Sequence, residues 1–105
     1  MGHAEIRIDD RLVVAHLVRR AVAELRQLLP ETHIVVAAMR PRLCSVGGAI
    51  ADGVLLNWML PAQAAAARQL VKEAADEAGR PAPVVASYIR VAIGSGAWQR
   101  LRDEE

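Results

Sequence analysis

The sequence predicts an α/β fold of three parallel strands with their helices on one face. Three observations predict it. Apolar residues recur at helical spacing over residues 10–29 and 61–78. Short apolar runs stand between these stretches, of the kind found in strands buried on both faces. Proline and glycine mark nearly every junction. The order is helix, strand, helix, strand, helix, strand, helix. Strands alternating with helices imply right-handed crossovers and a parallel sheet.

Asp9 and Asp10 suit a helix N-cap, and Val14, Leu17, Val18, Ala21, Leu25 and Leu28 mark the face expected to be buried. Pro30 ends this helix, because its ring cannot continue an interior turn. Ile34 to Met39 is too short for a helix, lacks polar alternation and reads as a buried strand. Arg40-Pro41 opens a second helix, with proline favoured at the first helical position. That helix is expected to reach about Ala51 despite Gly47 and Gly48, a pair that permits close packing on a neighbour. Asp52-Gly53 is a turn signal, and Val54 to Trp58 reads as the next strand. Pro61 starts a helix to about Ala78, with Ala67, Leu70, Val71, Ala74 and Ala78 inward and Gly79 as its stop. Val84 to Ile93 reads as a third strand, Gly94-Ser95-Gly96 as a turn, and residues 97–105 as a helix cut short.

Composition narrows the function classes. The chain has 105 residues and a net charge of +1, with 53% hydrophobic and 3% aromatic residues. The length fits one domain, and so apolar a chain is not a disordered tail. The weak charge argues against a nucleic-acid or anionic-membrane partner. The scarcity of aromatics argues against base-stacking platforms. A single cysteine makes no internal disulfide, so a reducing compartment is expected. No apolar run has the roughly 18 residues of a membrane helix, and residues 1–10 carry no signal-peptide core. A soluble cytoplasmic protein is the expectation.

Architecture and length are mismatched. Parallel sheets need cover on both faces, yet successive crossovers of one hand put their helices on the same face. A closed (β/α) barrel covers the inner face with opposite strands but needs about 250 residues. A bare face of six or so apolar side chains, each worth roughly 1.5–3 kcal/mol if buried, rivals a domain's whole stability of about 5–15 kcal/mol. The chain is therefore expected to belong to something longer or to self-associate.

One ordered set of motifs carries a resemblance. It consists of Ala37-Ala38-Met39-Arg40-Pro41-Arg42, then Gly47 and Gly48, then Ile50-Ala51-Asp52-Gly53-Val54-Leu55-Leu56-Asn57-Trp58. An Ala-rich helix, Gly79 and the strand from Val84 to Gly94 follow. Over residues 33–96 this order resembles the middle-to-late part of the bacterial luciferase-like monooxygenase superfamily. Those enzymes are (β/α) barrels that use FMN or the deazaflavin coenzyme F-420. The resemblance implies a partial TIM-type barrel in a single domain, with residues 10–29 as the preceding helix. It also implies flavin- or deazaflavin-dependent oxidoreductase or monooxygenase chemistry.

By position, the resemblance assigns Ala38, Met39, Arg40, Pro41 and Arg42 to the corner that holds the cofactor's phosphate, a task suited to helix N-terminal amides. It assigns Asn57 and Trp58 to the substrate pocket, and Gly94-Ser95-Gly96 to the catalytic rim. Arg40 departs from the usual glycine; it either pairs with phosphate directly or marks a lost site. The family's first four strands, which surround the ring, and its last strand have no counterpart here. The chain thus reads as a fragment, inactive alone. Two alternatives stand beside it. One is a non-catalytic half-barrel that self-associates or completes a partner. The other is a small phosphate-ligand-binding domain using Arg40 and Arg42.

Other reactive side chains have simpler readings. His3, His16 and His33 lack metal-ligand spacing. Cys44 reads as a buried inert thiol, and Ser45 and Ser95 lack a nucleophile-elbow context. Asp52 reads as turn chemistry rather than as a catalyst. Trp58 either stacks on a ring or plugs a barrel mouth. Positive charge at a helix start opposes the dipole, which favours anion binding by Arg40 and Arg42 over simple solvation. Arg90, inside an apolar run, faces either a polar pocket or water.

Overall fold

A computed structural model describes residues 10–103. The elements are α1 (Asp10–Leu28), β1 (Val35–Ala38), α2 (Pro41–Ile50), β2 (Gly53–Leu56), α3 (Pro61–Glu77), β3 (Val84–Ser87) and α4 (Ala97–Asp103). Asp9 and His3 lie outside the described residues, as do positions 104 and 105 of the expected last helix. The three strands form one parallel sheet in the order β1-β2-β3. It is open, so a closed TIM barrel is not what these residues form.

Alternation along the strands sorts the side chains by face. Val36 and Ala38 of β1 and Val54 and Leu56 of β2 are buried beneath the helices. There they meet Cys44 of α2 and Ala67 and Val71 of α3. Val22 of α1 packs with Ile34, Val36 and Ala51. The opposite face carries Val35, Ala37, Gly53, Leu55, Val84 and Ala86. Val35 is 60% exposed and Val84 74%, and Leu55 is exposed as well. Among the described residues one face of the sheet is therefore covered and the other is not, the arrangement expected of successive crossovers of one hand.

Close helix packing depends on the glycine pair. A Cβ on Gly48 would lie 2.3 Å from the Val71 carbonyl oxygen, and one on Gly47 would lie 2.6 Å from Val54 Cγ2. Both are closer than van der Waals contact allows, so α2 reaches α3 and the sheet only because these positions lack side chains. Gly79 ends α3 with φ of +68°. Its N–H donates to Asp76 O and the Arg80 N–H to Ala75 O, at 3.1 and 2.9 Å, which is the paired geometry of a Schellman stop.

Three expectations need correction. The third strand stops at Ser87 rather than Ile93, because β2 ends at Leu56, its register partner, and offers nothing further to pair with. Met39, Asn57 and Trp58 likewise lie just past their strands, in the loops. On α1 the buried positions are Ala15 and Val22, with Val18 partly covered, while Leu17 and Leu28 stay 55% and 75% exposed. The expected stripe of Val14, Leu17, Ala21, Leu25 and Leu28 faces outward, because α1 packs on α2 and no described strand lies beyond β1.

Candidate functional site

The strands end level with one another, since Ala38, Leu56 and Ser87 are register partners. A cavity of about 520 Å³ opens at these C-terminal ends. It is lined by Ala38 at the end of β1 with Met39, Arg40 and Arg42 following, by Leu56 at the end of β2 with Asn57 following, and by Tyr88 after β3. Ala37 and Leu55 extend it onto the uncovered face. A second cavity of about 440 Å³ holds Pro41, Trp58 and Gln63, and shares Met39 and Asn57 with the first. Asn57 Nδ2 donates to Met39 Sδ at 3.4 Å, joining the two strand-end loops at the wall between the cavities.

All seven residues expected at the site thus gather at one end of the sheet, each lining one of these two cavities, with Met39 and Asn57 lining both. Arg40 precedes α2 in an extended conformation and gives its backbone carbonyl to the Cys44 N–H at 3.1 Å. No side chain caps the helix start, and Pro41 has no N–H to offer. Both arginines are exposed, and among the described residues neither forms an ion pair. They also line a third hollow with Pro41 and Ser45. Trp58 is half-exposed and does not plug a closed core.

The first α3 turn is organised by Gln63, whose Oε1 accepts the Leu60 N–H at 2.9 Å. This fixes the loop that carries Trp58 and Met59 into the second cavity.

Sequence reasoning missed Tyr88 and Val14 as cavity residues. The register could have found Tyr88, which follows the last paired residue of β3. Gly94-Ser95-Gly96, expected at this rim, lines neither cavity. It forms a turn tied by Arg100, which donates to the Ile93 and Ser95 carbonyls at 2.6 and 3.1 Å. Arg90 lies past β3 and is exposed.

Asp52 sits at the opposite end of the sheet. Its Oδ2 accepts the Ile34 N–H at 2.9 Å and lies 3.2 Å from Arg26 Nη2. Arg80 approaches Oδ1 at 4.0 Å. The Ile34 hydrogen bond, helped by the Arg26 charge, holds the Asp52 carboxyl below its usual range. This is a structural anchor and not part of the site. Burial pushes the Cys44 thiol up, which suits an inert core residue. Among the described residues no cluster of three His, Cys, Asp or Glu side chains is placed to hold a metal. None of the described helices is long and apolar enough to cross a membrane. No family model, curated protein or solved structure matches the chain.

Proposed function

We propose that this chain is a partial (β/α) barrel of the luciferase-like oxidoreductase type, which holds the phosphate-bearing end of FMN or coenzyme F-420. The observation that carries the reading is the strand-end cavity with Arg40 and Arg42 at the start of α2. Two guanidinium groups without carboxylate partners among the described residues, beside uncapped helix amides, suit a phosphate. A volume of about 520 Å³ lies in the range of small-molecule sites.

The cofactor when bound supplies hydride transfer or oxygen activation. The chain's own part is to bind and orient. Arg40 and Arg42 neutralise the phosphate, while Met39, Leu55 and Tyr88 offer an apolar wall. Asn57 and Trp58 border the space left for substrate. Most groups needed around the ring belong to barrel strands with no counterpart here, so the chain is not catalytic alone. Its single cysteine, Cys44, fits a cytoplasmic setting.

A fluorescence titration with FMN and with coenzyme F-420 tests this. Binding weaker than micromolar is expected for the isolated chain, and micromolar or tighter affinity overturns the dependence on missing strands. Phosphate-induced thermal stabilisation that disappears in Arg40→Ala is the expected sign of the arginine corner. A shift unchanged by Arg40→Ala removes that corner from the proposal.

A second reading, a non-catalytic half-barrel that pairs with another copy or a complementary half, is favoured by the bare apolar face of Val35, Leu55 and Val84. Nothing charged stands on that face of the strands, so covering it strands no ion.

A further inference from the structure

Among its described side chains α1 buries only Ala15 and Val22. Val14, Leu17, Ala21, Leu25 and Leu28 stay exposed. At 3.6 residues per turn these five fall within an arc of about 80°, and the buried pair lies roughly 110° round from its centre. The helix therefore has two apolar flanks, one packed on the core and one unpartnered among the described residues. Val14, Ala21 and Leu28 stand seven residues apart, with Leu17 and Leu25 between them. Such spacing forms the seam of a two-helix pair.

We propose that this second flank is the contact surface for a second copy of the chain, with the two α1 helices antiparallel about a twofold axis at Ala21. In that pair each residue faces the one equally far on the other side of Ala21. Leu17 meets Leu25, Val14 meets Leu28, and Ala21 meets itself with a methyl small enough for the axes to approach to about 8 Å. Charge selects the same arrangement. Arg20 and Glu24 border the stripe on the flank away from Val22, both exposed and neither in an ion pair among the described residues. The twofold sets this flank of one copy beside the same flank of the other. Arg20 of one copy then stands about 3 Å along the axis from Glu24 of the other, and the pair occurs twice. A parallel pair would set both charges beside the apolar Val18 and Leu25 of the second copy. Val14 also lines the strand-end cavity, so Leu28 of the second copy comes to that cavity's rim. One helix pair buries less than the roughly 1,200 Å² of a stable interface, so the dimer dissociates on dilution.

Sedimentation velocity on the whole chain, from about 10 μM to about 1 mM, tests this. A monomer–dimer equilibrium is expected, and a parent that stays monomeric throughout overturns the proposal. Arg20→Glu and Glu24→Arg are each expected to weaken the dimer roughly threefold or more, and the two together to restore it. Single variants that associate as the parent does overturn the charge pairing and the geometry built on it. Leu17→Cys mixed with Leu25→Cys under oxidised glutathione is expected to join the two proteins to each other more readily than either to itself. A preference for like-with-like joining overturns the antiparallel arrangement. Association that survives Leu17→Glu with Leu25→Glu but is lost in Leu55→Glu with Val84→Glu assigns the contact to the bare sheet face and overturns the α1 seam.

Discussion

Arg26 Nη2 stands 3.2 Å from Asp52 Oδ2, and the same guanidinium nitrogen donates to the Ile50 carbonyl at 2.7 Å. Asp52 in turn receives the Ile34 N–H. One carboxylate thus ties the end of α1, the entry to β1 and the exit of α2 at the end of the sheet remote from the cavities. Asp52→Ala leaves the Ile34 N–H without its acceptor and Arg26 without its counter-charge. It is expected to cost about 1–3 kcal/mol, read as a lower denaturation midpoint with an unchanged slope. Stability within error of the parent protein contradicts the anchor.

The same carboxylate gives a pH dependence. Its folded pKa is lowered, first by the Ile34 hydrogen bond and then by the Arg26 charge, against an opposing effect of desolvation. As pH falls, the unfolded chain takes up this proton before the folded chain does. The stabilisation is therefore whole above the ordinary aspartate value of about 3.9 and is lost as pH drops from there through the folded value. Thermal melts from pH 6 down to about pH 3 should show a decline that is shallower in Asp52→Asn. An equal decline in both proteins removes Asp52 as its source.

Gly48→Ala tests the α2–α3 contact. In an open helix this change is stabilising by roughly 1 kcal/mol. Here the new methyl meets the Val71 carbonyl, so destabilisation of about 1–3 kcal/mol is expected. A gain in melting temperature would mean that the helices part without cost.

Cys44 is buried, with its thiol pKa raised. Alkylation by iodoacetamide at neutral pH should be slow in the native protein and fast in denaturant, because the thiolate is the reacting form. Rapid native labelling would show that the second cavity opens to its depth.

Leu55→Glu with Val84→Glu places charge on the uncovered sheet face. If that face drives association, light scattering should show the parent chain shifting to larger species with concentration and the double variant remaining monomeric. A monomeric parent at all concentrations contradicts pairing with another copy.

Much of this architecture was legible in the residues. The order of elements, the parallel sheet, the glycine-mediated helix contact and the Gly79 stop follow from local chemistry, since each depends on a few neighbouring side chains. The gathering of Met39, Arg40, Arg42, Asn57 and Trp58 was legible because parallel strands end at one side. The direction of α1 was not. Its helix has apolar residues on two flanks, and periodicity alone does not say that Ala15 and Val22 turn inward while Leu17 turns out. The length of β3 was equally hidden, because the apolar run continues past Ser87 and only the end of β2 terminates the pairing. The cofactor's identity has no such local signature in Arg40 or Arg42.

The two margins of a parallel sheet are unlike each other, and that limits how copies of this chain can join. The β1 margin of one molecule can add to the β3 margin of the next with all strands pointing the same way. Such head-to-tail joining either closes into a ring or grows into a filament. Three-stranded units do not divide the eight staves of an ordinary (β/α) barrel.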